Sequence, residues 1–102
     1  MGEFVTLGTA GEVGEGQARG YEANGTQVAV ARVNGTLYAF NDVCTHRGCF
    51  LDNGEVEGTA IICECHGSMF SMESGEVLEG PAEDPVATYP VREQDGQLQV
   101  EV

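Results

Sequence analysis

The chain has 102 residues, with 17 acidic side chains against four arginines and no lysine, for a formal net charge of −13. That length makes one domain, and that charge makes nucleic acid and anionic membranes poor partners. No apolar run reaches the 18 residues of a transmembrane helix, and no basic segment followed by an apolar core marks a secretory leader.

The expected location is therefore cytoplasmic, with no membrane anchor in this chain; the alternative is export, with a leader removed. Met1-Gly2-Glu3-Phe4-Val5-Thr6 matches a myristoylation pattern, but a first β-strand explains the same residues. The acidic surface has two readings. One is steering toward a basic docking face on a partner, the other solubility or a saline habitat.

Glu3 to Leu7 reads as an opening strand, and the glycine-rich run Gly8 to Gly16 as a loop. Arg19 to Ala23 is a short strand ending at Asn24-Gly25. Thr26 to Val33 and Thr36 to Val43 are two apolar runs joined by Asn34-Gly35, a strong hairpin signal because a type I′ turn needs positive φ at both central residues. Both runs are apolar at alternate and intervening positions, as inside a sandwich or barrel. Asp52-Asn53-Gly54 is a turn, Thr59 to Cys63 a short β-branched strand, and Phe70 to Glu73 another, stopped by Ser74-Gly75. Gly80 to Pro85 holds two prolines and cannot be a central strand. Thr88 to Glu93 and Gln97 to Val102 are strands joined by Asp95-Gly96; in the last, Leu98, Val100 and Val102 point inward. No amphipathic helix of useful length is visible.

Every cysteine and both histidines lie in two short boxes. The first is Cys44-Thr45-His46-Arg47-Gly48-Cys49, the second Cys63-Glu64-Cys65-His66-Gly67-Ser68. Each offers one thiolate and one imidazole, as Cys-x-His and Cys-x-x-His, with 16 residues between His46 and Cys63 (47 to 62). A tetrahedral zinc site is one chemistry for such ligands, although Cys-x-His is tighter than the usual zinc spacing and zinc leaves Cys49 and Cys65 without a role.

The double box resembles the Rieske [2Fe–2S] family. The likeness extends through Val30 to Val43, Gly67-Ser68-Met69-Phe70 and the stretch Gly75 to Ala82, nearly the whole chain. It implies one [2Fe–2S] cluster per chain. Cys44 and Cys63 would hold the inner iron, His46 and His66 the outer, solvent-facing one. Two ferric ions, two sulfides and two thiolates sum to zero charge, so such a cluster accepts an electron more readily than one with four thiolates. The imidazoles add ionisable N–H groups, which couple electron and proton uptake.

The resemblance also assigns the neighbours. Cys49 and Cys65 occupy positions that form a disulfide in the Rieske proteins of quinol-oxidising complexes and are typically absent from oxygenase ferredoxins; two reduced, buried thiols are the alternative in a cytosolic protein. Ser68 matches a hydroxyl that donates to a bridging sulfide and raises the potential; as a turn serine it would bond its own backbone. Phe70 stands where the high-potential group has a tyrosine donor. Arg47 replaces an aliphatic residue. Gly67, directly after His66, would lie beside the cluster, and Pro81 belongs to the loop that covers the cluster in the family. The implied fold is all-β: a Rieske-like antiparallel sandwich or barrel base (1–43 and 83–102) with an inserted cluster-binding lobe (about 44–82), in a single domain, 1–102.

The expected function is one-electron transfer as a ferredoxin between a reductase and an oxygenase or similar oxidoreductase, not catalysis by the chain itself. The alternatives are a Rieske subunit or fragment of a larger oxidoreductase (a quinol-oxidising complex, an arsenite oxidase-like enzyme or a nitrite reductase small subunit) and a non-redox zinc or scaffold domain.

Overall fold

The computed structural model of the protein describes residues 3–45, 49–65, 67–80 and 82–102. Eleven strands form three antiparallel sheets among these residues. In chain order they are β1 (Phe4–Thr9), β2 (Ala18–Ala23), β3 (Thr26–Val33), β4 (Thr36–Asn41), β5 (Glu55–Glu57), β6 (Ala60–Ile62), β7 (Met69–Ser71), β8 (Val77–Glu79), β9 (Thr88–Tyr89), β10 (Val91–Gln94) and β11 (Gln97–Glu101). The sheet orders are β1-β11-β10, β2-β3-β4-β9 and β5-β6-β7-β8. The first sheet joins the two ends of the chain, with Phe4 opposite Glu101 and Thr9 opposite Gln97. The third is a meander made only from the segment between the boxes and just beyond them. The all-β, antiparallel expectation holds.

Strand β3 explains why its sequence does not alternate. Val28 and Val30 pack with Val13, Ala39, Leu98 and Val100 in one core. Ala29, Ala31 and Val33, on the opposite face, join Phe40, Leu51, Ile61, Phe70 and Met72 in a second. A strand covered on both faces needs apolar residues at every position. The Asn34-Gly35 turn has φ of 52° and 78°, the positive pair that a type I′ hairpin demands.

Three departures from the sequence reading have local causes. The strand expected over Thr36 to Val43 stops at Asn41, because the Asn41 carboxamide oxygen accepts the Val43 N–H (2.9 Å) and turns the chain out of the ladder. The strand expected over Thr88 to Glu93 is two strands in different sheets. Pro90, which has no N–H to donate, separates β9 beside β4 from β10 beside β11. Strands β5 and β8, which have no counterpart in the sequence reading, are the two edges of the third sheet.

Candidate metal centre

The described ends of the two boxes are tied in the same way, each box following a strand of a different sheet. In the first, Cys44 N–H donates to the Cys49 carbonyl (2.7 Å); in the second, Cys63 N–H donates to the Ser68 carbonyl (2.7 Å). Each loop is thus closed by its leading cysteine and the carbonyl five residues on. Gly67 lets the second loop turn, with φ of 77° and its N–H donated back to the Cys63 carbonyl (2.9 Å). The closures hold Cys44 and Cys63 at 2% exposure each, inside the core that the middle sheet shares with the third. His46, Arg47, His66 and Pro81 lie outside the described residues, so the two imidazole ligands, the arginine and the proline stay as the sequence analysis left them.

A disulfide ties the loops together. Cys49, at the end of the first, is bonded to Cys65, in the middle of the second, with Cα atoms 6.5 Å apart. The sulfur atoms of Cys49, Cys63 and Cys65 all lie within 4.8 Å of one another. Two of the three are spent in the disulfide, so this triplet is not itself a three-thiolate metal site.

A third segment, 82–87, buttresses both loops. The fully buried Ser68 hydroxyl oxygen accepts the Ala82 N–H (3.0 Å), and the Thr45 hydroxyl donates to the Asp84 carbonyl (2.6 Å). Val86 N–H donates to the Gly75 carbonyl (2.9 Å), and Asn41 N–H to the Ala87 carbonyl (2.8 Å). A serine hydroxyl carries one hydrogen and two acceptor lone pairs. Acceptance from Ala82 therefore leaves the Ser68 hydrogen able to serve a second partner.

These observations fit a [2Fe–2S] group. Two soft thiol donors are held out of water on facing loops. A buried hydroxyl with an uncommitted hydrogen stands in the second, and each box carries one imidazole residue in its sequence. Cys44 and Cys63 are the residues that would hold it from the protein side.

A carboxyl pair at the foot of the first loop has no signature in the sequence. Asp42 is 2% exposed, and one of its carboxylate oxygens accepts the Asp52 N–H (2.8 Å). Its own N–H donates to the Gln27 carbonyl and its carbonyl accepts the Leu51 N–H (2.6 Å). Both carboxyl groups crowd Gly20, where a β-carbon would strike them. Burial, and next the hydrogen bond with the Asp52 side chain, push the Asp42 carboxyl up to about 7. Asp42 thus braces the base strand β3 against the turn that follows the first box.

Around the loops the surface is acidic. Glu64, Glu79, Glu83 and Asp84 are exposed, and among the described residues Phe50 and Leu78 are the large apolar side chains left in solvent. No helix among the described residues is long and apolar enough to cross a membrane.

Comparison with known proteins agrees with this geometry. The family model described as the Rieske [2Fe-2S] domain matches residues 3–90. The anthranilate 1,2-dioxygenase ferredoxin subunit of Burkholderia cepacia is 31% identical over 102 residues, 100% of this chain and 94% of the relative. The cytochrome b6-f complex iron-sulfur subunit of Chlorobaculum tepidum is 32% identical over 98 residues, 96% of this chain but only 53% of the relative. Among solved structures, the Sphingomonas yanoikuyae B1 ferredoxin superposes with a TM-score of 0.91 at 28% identity, covering 98% of this chain and 99% of that one. The ferredoxin in a complex with the oxygenase of carbazole 1,9a-dioxygenase gives 0.89 at 28% identity, over 96% and 92%.

Proposed function

The chain belongs to the Rieske [2Fe–2S] domain family, and from that premise we propose that it is a one-electron carrier of the ferredoxin type, serving an oxygenase or similar oxidoreductase. The observation that supports this most is the pair of closed loops that bury Cys44 and Cys63 in one core and are stapled by Cys49–Cys65. We assign Cys44 and Cys63 to the inner iron and His46 and His66 to the outer one. The bound cluster supplies a single-electron couple whose ligand imidazoles also ionise. The protein's part is to exclude water from the thiolates, to hold the loops at fixed separation, and to offer the Ser68 hydroxyl to a sulfide. Phe70, buried in the same core, offers no hydroxyl. The chain works as a carrier rather than as a catalyst.

The partner surface we expect is basic. Exposed Glu64, Glu79, Glu83 and Asp84 lie on or beside the two loops and the segment that braces them. A complementary field raises the rate of encounter and weakens with salt, since exposed charges are screened beyond about 8 Å at physiological ionic strength. A cytoplasmic location goes with this reading and is checked by fractionating the native host.

A second reading is a subunit or portion of a quinol-oxidising complex. The disulfide and Ser68 favour it, and so does the likeness to the cytochrome b6-f subunit, of which the chain spans about half. Potentiometric titration of the visible spectrum tests both readings. A one-electron transition lying between oxygenase ferredoxins and quinol-oxidising proteins is the expected result. A value within the quinol-oxidising group selects the second reading, and no transition at all refutes both.

A further inference from the structure

We propose that the outer face of the third sheet is a docking surface for a redox partner protein whose contact face is apolar at its centre and basic around it. The core accounts for one face of this sheet: Val56, Ile61, Phe70 and Val77 pack there with Leu51 and Met72. On the other face stand Ile62, Met69 and Leu78, which belong to neither core. Ile62 lies opposite Met69, and Leu78 occupies the bulge of β8 beside Met69. Three apolar side chains from three neighbouring strands thus form one stripe, in which Leu78 is 55% exposed. A single exposed apolar side chain is ordinary, whereas a contiguous group rimmed by polar residues marks an interaction site.

The rim is of one sign. Glu55 lies opposite Ile62 and Glu79 opposite Met69, so each end of the row closes on a carboxylate, with exposed Glu57 on the same edge strand as Glu55. None of these three is in an ion pair among the described residues, where Arg19 faces Glu12 and Arg32 faces Glu93. The strands of the third sheet hold neither lysine nor arginine. That charge decides between occupants. A second copy of the chain seated on the stripe would bring its own acidic rim against this one, and an anionic membrane would be repelled in the same way. An apolar centre inside a basic rim matches both parts of the patch.

The position suits electron transfer. Ile62 directly precedes Cys63 and Met69 directly follows Ser68, the two residues whose hydrogen bond closes the second loop. A partner seated on Ile62 and Met69 meets the chain one residue from Cys63, and consecutive Cα atoms are about 3.8 Å apart. This consequence rests on the proposed function, which makes Cys63 a cluster ligand; the docking surface itself does not.

The test uses the full chain, expressed with iron supplied, and a lysine-rich c-type cytochrome as probe, chosen for its apolar haem edge and basic surface. Affinity is measured by calorimetric titration at low and high salt. Leu78→Ser and Met69→Gln should each weaken binding about tenfold, at unchanged visible spectrum and reduction potential. Phe50→Ser, which removes a 44% exposed apolar side chain outside the sheet, should leave the affinity as it is. Glu55→Gln combined with Glu79→Gln should weaken binding and flatten its salt dependence. Glu3→Gln combined with Glu22→Gln removes the same two charges from exposed positions of the base and should do so less. No measurable binding by the parent chain, full affinity in Leu78→Ser and Met69→Gln, or equal losses from the two charge pairs would each overturn the proposal. A dimeric parent chain that Leu78→Ser makes monomeric would put a second copy on the face and overturn it too. Iron and labile sulfide are measured on the same samples. A chain without them would refute the proposed function, yet its affinities would still decide the docking surface.

Discussion

Replacing Ser68 by Ala removes the oxygen that accepts the Ala82 N–H at 3.0 Å. Ser68 is fully buried and Ala82 is 4% exposed, so water cannot take over the bond. A buried donor left without a partner costs about 1–3 kcal/mol. The cost falls on the link between the second loop and the segment that braces both loops, where it favours local opening. At about 1.4 kcal/mol per factor of ten, hydrogen exchange at the Ala82 amide should quicken roughly 5- to 150-fold, while amides of β3 and β11 change far less. If the Ser68 hydrogen also serves a cluster sulfide, the reduction potential should fall in the same variant. A shift of about 59 mV would be a tenfold change in equilibrium for a one-electron couple. Hydrogen–deuterium exchange and potentiometry on one loaded sample read the two effects separately. Unchanged exchange at Ala82 would refute the buttress. Faster exchange at an unchanged potential would confine the hydroxyl to the loop and remove it from the cluster.

In the loaded protein, Cys49→Ser, Cys65→Ser and the double variant should each lose about 3 kcal/mol in urea unfolding, since all three delete one bond across a sequence separation of 16; a double variant costing the sum of the singles would contradict a shared bond. Gly75→Ala places a β-carbon against the Val86 carbonyl at a φ of 82°. The backbone conformation alone should cost about 1–3 kcal/mol by urea titration, and a variant as stable as the parent would refute the close approach. For Asp42, the folded carboxyl binds its proton up to about 7 against an ordinary value of 3.8, so the folded state holds more protons than the unfolded one in that interval. Its contribution to stability is present below the lower value and is lost as pH rises through the higher one. Asp42→Asn mimics the protonated form and should flatten the fall in stability between pH 4 and 7; equal slopes for the two proteins, by thermal unfolding across that range, would show that Asp42 does not titrate there.

What could be read from the sequence was short-range. Asn34-Gly35 announces its hairpin because the turn's backbone angles select those residues, and Leu98 and Val100 announce their face by alternation. The two boxes are legible because ligand spacing is set within three residues. The partner of Cys49 came from resemblance, not from spacing, and the structure bonds it to Cys65. Contacts made by backbone groups left no trace. The Ala82 N–H has no side-chain signature, so its bond to Ser68 could not be foreseen. Asp42 and Asp52 look like two ordinary acids until the first loop folds back and buries one against the other. Strand β5 is a three-residue alternation, and β8 turns Leu78 outward at 55% exposure, so neither carries the apolar pattern of a core strand. Pro90 could have warned that Thr88 to Glu93 is not one strand, because a proline has no N–H for a ladder.

The central claim is that two thiolates and two imidazoles hold one [2Fe–2S] cluster. Iron, zinc and acid-labile sulfide content of the purified full chain, expressed with iron supplied, tests it most directly. The account predicts two irons and two labile sulfides per chain with no stoichiometric zinc. One zinc per chain, without sulfide, would contradict it.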